Sequence, residues 1–105
     1  MTKRKFISLP MGIWLTPLLK EDFVFDTLLK TRIPNLCIIG DQDQHYLQER
    51  ISLLETNKLI STLVIPDANH SLEVNGDIAA TIEAMKVIIN RMQDFIGVHS
   101  TNREL

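Results

Sequence analysis

Two short runs in this chain place apolar residues one after another instead of alternating them: Leu36-Cys37-Ile38-Ile39 and Leu63-Val64-Ile65. A strand with one wet face alternates apolar and polar side chains. A strand apolar at consecutive positions needs cover on both faces, which is the condition of a parallel sheet between layers of helix. Each run ends on a breaker, Gly40-Asp41 in the first and Pro66-Asp67 in the second. The strands expected from this pattern are Asn35–Ile39 and Ser61–Ile65, and Phe6–Leu9, closed by Pro10, gives an earlier one.

Segments with helical signals separate and follow these strands. Thr16-Pro17 pairs a capping hydroxyl with proline at the first helical position, and Leu18, Leu19, Phe25, Leu28 and Leu29 carry a loose apolar pattern to Lys30. Leu47, Ile51 and Leu54 fall at i, i+4 and i+7, which predicts a helix over Tyr46–Thr56. Asn75-Gly76 is a turn signal, and Asp77 is placed to cap a long amphipathic helix. The apolar stripe expected to face the core is Ile78, Ile82, Met85, Ile89, Met92 and Ile96, with Gly97 as a stop and His99–Leu105 as a frayed tail. Strand and helix alternate throughout. The expected architecture is therefore α/β, a three-layer α/β/α arrangement around a short parallel sheet of about three strands. At 105 residues the chain is a single domain or part of one.

Composition narrows the function classes. A net charge of −2 gives no electrostatic reason to expect nucleic acid, and Lys3-Arg4-Lys5 is too short a cluster to change that. No apolar stretch approaches the roughly 20 residues of a membrane span. Phe6-Ile7-Ser8-Leu9 is too short before Pro10 for a secretory core. The single cysteine, Cys37, has no partner for an internal disulfide and sits in an apolar run, so a buried, inert thiol and a reducing cytoplasm are expected.

The residues with chemical potential stand just beyond the strands. Asp43 follows Ile38-Ile39-Gly40-Asp41-Gln42, and His70 follows Val64-Ile65-Pro66-Asp67-Ala68-Asn69. Open parallel sheets place ligands at the carboxyl ends of their strands. The two residues lie 27 positions apart, room for one helix and one strand. If the strands are neighbours, their ends lie about 5 Å apart and the two side chains can meet. A carboxylate on one imidazole nitrogen fixes the tautomer and leaves the other free to take a proton from a hydroxyl. Asp41 is the second candidate for the acid. Asp41, Asp43 and His45 alternate, but a calcium loop would want glycine where Tyr46 stands, so neither a metal nor a cofactor is expected. Trp14, Met85 and Met92 read as core, and Glu73 as an exposed loop acid.

From about Phe6 to Ile96 the chain resembles the C-terminal part of the α/β-hydrolases, their last three strands and helices. The resemblance rests on the apolar strand with Gly40-Asp41-Gln42-Asp43 and on the strand leading to Pro66-Asp67-Ala68-Asn69-His70-Ser71-Leu72-Glu73. In that family the triad acid follows the glycine after two residues, which implies Asp43. The triad histidine follows the last strand, which implies His70. The family's nucleophile sits in a G-x-S-x-G elbow between strand and helix. Here Gly12, Gly40, Gly76 and Gly97 flank no serine in that pattern, and Ser8, Ser52, Ser61, Ser71 and Ser100 occupy strand, helix, loop or tail positions.

The resemblance thus implies part of an esterase-like serine hydrolase that supplies acid and histidine and is inactive alone, with a small ester-like substrate once complete. A non-catalytic, self-associating α/β module is the alternative. Within the intact family fold the strand matching Phe6–Leu9 lies inside the sheet, so here it would form a bare edge. Such edges recruit partners. The expected partner is a complementary N-terminal hydrolase segment, or a second copy joined through the Phe6–Leu9 edge.

Overall fold

The computed structural model describes residues 4–8 and 10–104 of the chain. The elements run β1 (Arg4–Ser8), β2 (Gly12–Leu15), α1 (Asp22–Leu29), β3 (Asn35–Gly40), α2 (Gln48–Leu54), β4 (Ile60–Ile65), α3 (Ile78–His99) and β5 (Ser100–Glu104). β2, β3 and β4 form a parallel sheet in that order. Every residue of β3 is buried. Cys37 and Ile39 face α1 and α2 in a cluster with Leu19, Phe25, Leu28, Ile51 and Leu54. Leu36 and Ile38 face the other way, onto Ala84, Ile88 and Phe95 of α3. The consecutive apolar residues of β3 therefore serve two cores, and the expected small α/β arrangement, a three-strand parallel sheet with helices on both faces, is present.

The first strand of that sheet lies elsewhere than expected. It is Gly12–Leu15, whereas Arg4–Ser8 forms a separate antiparallel ribbon with Ser100–Glu104. Leu9 lies outside the described residues. Asn35 explains the placement of β2. Its buried side chain accepts a bond from Trp14 Nε1 at 2.8 Å and donates to Thr31 Oγ1 and Ile33 O. Gly12 enters the register through a bond from its N–H to Pro34 O at 2.9 Å. A Cβ at Gly12 would stand 2.0 Å from Asn35 Oδ1, so the close approach requires glycine. The open edge next to β3 on this side thus belongs to β2, not to Phe6–Leu9. The expected frayed tail likewise contains a strand, β5, paired with β1.

Helix boundaries shift for local reasons. α1 begins at Asp22, because Thr16 adopts φ of 50° and cannot hold the extended conformation of a cap. The segment after it, with Pro17 and Leu19 buried, is held by Arg50, which donates to Leu19 O at 2.7 Å and pairs with Asp22. α2 is trimmed to Gln48–Leu54. Asp77 caps α3 as expected, its side chain accepting from Ala80 N at 2.9 Å. α3 runs through Gly97 to His99, so that glycine is no stop.

The rotation of α3 is the main departure. The residues it buries are Ala84, Ile88 and Phe95. The stripe expected to face the core is largely exposed: Ile78 is 81% exposed, and Ile82, Met85, Ile89 and Ile96 are about half exposed. Only Met92 of that stripe packs against the core cluster. At 3.6 residues per turn the two stripes lie about 100° apart around the axis. The helix carries apolar side chains on both stripes, and the one it packs on the sheet is Ala84, Ile88 and Phe95. Among the described residues no helix is long and apolar enough to cross a membrane.

Cys37 is fully buried, and burial pushes its thiol up to about 12. It stays protonated and inert across the ordinary pH range. Its contribution to stability is constant below the unfolded value of 9.0 and falls as pH rises from there towards 12, because the unfolded chain then releases a proton that the folded chain keeps.

The two stripes of α3 are separable by mutation. Ile88→Ala should cost about 2–5 kcal/mol in urea unfolding of the monomer. Ile82→Ala should cost less than about 0.5 kcal/mol. A loss at Ile82 equal to that at Ile88 would mean that the helix sits in the other rotation.

Candidate active site

The loop after β3 and the loop after β4 meet at the carboxyl end of the sheet. Gly40 and Ile65 are register partners at the ends of their strands. Beyond them Asp41 N donates to Ile65 O at 3.1 Å and Gln42 N to Ala68 O at 2.9 Å. A Cβ on Gly40 would stand 2.1 Å from Ala68 O, a backbone atom, so the loops touch at a point where only glycine fits.

Asp43 and His70 come together across this junction. Asp43 Oδ2 lies 2.8 Å from His70 Nδ1, and Asp43 Oδ1 accepts from His45 N at 2.8 Å. Both carboxylate oxygens are thus engaged, and the side chain is completely buried. The imidazole is half exposed, and its Nε2 makes no hydrogen bond among the described residues. One ring nitrogen is therefore tied to a buried acid while the other edge of the ring is open for a ligand or a second side chain.

His70 stands on a tightly organised turn. Asn69 Oδ1 accepts from Ser71 N at 2.9 Å and from Glu73 N at 3.1 Å. Asn69 Nδ2 donates to Asn75 Oδ1 at 2.9 Å, and Asn69 N to Glu73 O at 2.9 Å. Two residues of the turn, Asp67 at φ of 61° and Leu72 at φ of 60°, adopt left-handed backbone. Glu73 helps close the turn through its backbone, while the residue itself is exposed. Asn69 was not singled out in the sequence; an asparagine beside a loop histidine signals an Asx turn only once its two backbone donors are known.

The other candidates separate clearly. Asp41 does not reach the imidazole: its Oδ1 accepts from Asp67 N at 2.8 Å and from Gln42 Nε2 at 3.3 Å. His45 approaches His70 with ring centroids 6.1 Å apart, and its Nδ1 accepts from Lys20 N. No three side chains of metal-ligating type cluster among the described residues. The serines do not supply an elbow. Ser52 lies on α2 with its Oγ accepting from Gln48, Ser61 lies in β4, Ser71 follows the histidine, and Ser100 bonds Ile96 O. Trp14 packs beside the first core cluster.

A groove of about 400 Å³ runs from Ser71 and Leu72, next to His70, past Leu15 to Met85, Ile89 and Met92. It joins the loop that follows His70 to Leu15, at the end of β2, and to the exposed flank of α3.

The Gly40 contact gives a direct test of how tightly the two loops are joined. Gly40→Ala should destabilise the fold by about 1–3 kcal/mol in thermal or urea unfolding, because the obstructing atom is a carbonyl oxygen that cannot rotate away. A neutral substitution would show that the loops separate easily. No known protein-family model matches the chain, and no curated protein matches it significantly.

Proposed function

We propose that this chain supplies the acid–base half of a serine-hydrolase site, as the C-terminal portion of an α/β-hydrolase-like fold. The observation that carries the reading is the 2.8 Å contact from His70 Nδ1 to a completely buried Asp43 carboxylate, at the carboxyl end of a parallel sheet. In this role Asp43 holds the imidazole as the Nδ1–H tautomer and stabilises the imidazolium that forms. His70 Nε2 takes the proton of an attacking hydroxyl and returns it to the leaving alkoxide. General acid–base catalysis of this kind contributes typically 10²–10⁴-fold to rate. The substrate class proposed is a small carboxylic ester.

The hydroxyl is proposed to come from a complementary segment docked on β2 and α3. β2 has no neighbour on its outer side among the described residues. α3 packs over β3 and turns Ile78, Ile82, Met85 and Ile89 out to one flank. A strand added to β2 lies about 10 Å from β3, two strand spacings away. A helix above that added strand then stands about 10 Å from α3, a normal packing distance. If the added strand is parallel, its carboxyl end falls on the same side of the sheet as Asp43 and His70. A second copy joined through β2 across a two-fold axis would instead leave the α3 helices about 14 Å apart, too far to cover the flank. The chain exposes 7151 Å², against about 6,000 Å² for a compact protein of this mass. The exposed flank of α3 also supports the second reading, a self-associating module without catalysis.

Nitrogen-15 NMR of the neutral imidazole tests the first reading. His70 should be predominantly the Nδ1–H tautomer, and Asp43→Asn should abolish that preference. The same tautomer in both proteins would sink the acid–base assignment.

Hydrolysis of a short-chain aryl ester by the purified chain should not exceed background. Turnover that disappears with His70→Ala would place a nucleophile within this chain. Light scattering coupled to size-exclusion chromatography separates the partner readings: a defined dimer favours the self-associating module, and a folded monomer at high concentration counts against it.

A further inference from the structure

Asp41 is not a spare acid. Asp41 and Asp43 lie two residues apart on one loop, and Asp67 and His70 lie three apart on the other. Two side-chain bonds cross between these loops. Asp41 Oδ1 accepts from Asp67 N, and Asp43 Oδ2 meets His70 Nδ1, both at 2.8 Å. They form two rungs of a short ladder with Ala68, fully buried against Gly40, between them. We propose that Asp41 is a positioning residue, whose carboxylate fixes the Pro66–Ala68 turn so that His70 reaches Asp43. The inference rests on the acid–base reading of the Asp43–His70 pair and adds a residue to it.

Three observations support the role. The first concerns backbone shape. Asp67 has φ of 61°, in the left-handed region that aspartate enters more readily than most residues, and the Asp41 carboxylate is the group bonded to its N–H in that conformation.

The second is that this rung is made by a side chain, while the bonds beside it are made by backbone. The companion bonds, Asp41 N to Ile65 O and Gln42 N to Ala68 O, are made by backbone and survive a change of the Asp41 side chain. Replacing Asp41 therefore loosens the turn without removing the strand pairing. The third is distance: only Ala68 and Asn69 separate the fixed N–H from the imidazole-bearing residue, so a shift at Asp67 passes directly to His70. Misplacing a catalytic group by 1 Å can cost about 10²-fold in rate, which is the scale on which such a rung matters.

The test reads the imidazole and not stability alone. Nitrogen-15 NMR at a pH where the ring is neutral compares the wild-type chain with Asp41→Ala, Asp41→Asn and Asp43→Asn. Asp41→Ala should lose the Nδ1–H majority and move towards the mixture of free histidine, where Nε2–H predominates. Asp41→Asn keeps an acceptor oxygen without the charge and should retain the wild-type tautomer, which separates the hydrogen bond from a through-space charge effect. If Asp41→Ala does not fold, Asp41→Glu keeps the charge, displaces the acceptor by one methylene and should shift the tautomer in the same direction. A folded Asp41→Ala protein with the wild-type tautomer overturns the proposal, and so does an Asp41→Asn protein that behaves like Asp41→Ala. Should Asp43→Asn change the tautomer while Asp41→Ala does not, Asp41 has no positioning role and the acid–base pair stands. If neither changes it, the acid–base reading itself fails.

Discussion

The burial of β3 on both faces is the constraint on which the rest of this structure depends. A strand with six buried residues and apolar side chains on both sides cannot stand at the surface of so small a protein. It draws α1 and α2 to one face and α3 to the other, and it needs β2 and β4 along its flanks. Asn35, at its start, fixes the register of β2 through Trp14. Gly40, at its end, lets the loop after β4 approach closely enough for His70 to reach Asp43. The candidate site is thus an outcome of how the central strand is buried.

Much of this was legible in the sequence because its signals are local and strong. The runs at Leu36–Ile39 and Leu63–Ile65 identify strands by composition alone, and Asp77 marks a helix start by its cap. The junction of Asp43 and His70 follows from strand adjacency and the carboxyl-end rule. The placement of β2 was not legible. Gly12-Ile13-Trp14-Leu15 is short and flanked by Pro10 and Thr16-Pro17, so its strand character depends on a bond from Trp14 to an asparagine 21 residues away. Periodicity misjudged α3 for a different reason. The helix is apolar around more than half of its circumference, so two stripes compete, and the stripe with more apolar residues is the one that the sheet leaves uncovered. The roles of Asp41 and Asn69 were equally hidden. Both act on backbone N–H groups, whose positions a sequence does not specify.

The uncovered flank of α3 and the outer edge of β2 are two parts of one surface. Either alone would be unremarkable, since single exposed apolar residues are common. Together they put unpaired backbone groups beside a row of isoleucine and methionine side chains, with Leu15 and Leu72 between them. Edges of this kind are usually blunted by charge, proline or a bulge. On β2, Gly12-Ile13-Trp14-Leu15 carries none of these residues.

The contact of Gly40 with Ala68 has a consequence for when order is acquired. Because the two loops interlock through backbone as well as through side chains, the orientation of the imidazole is settled when this chain folds. On the reading proposed above, an incoming segment meets a base whose rotational freedom is already lost, so the free energy of association is not consumed in ordering it. Binding can then be weak and reversible without blurring the geometry on which proton transfer relies.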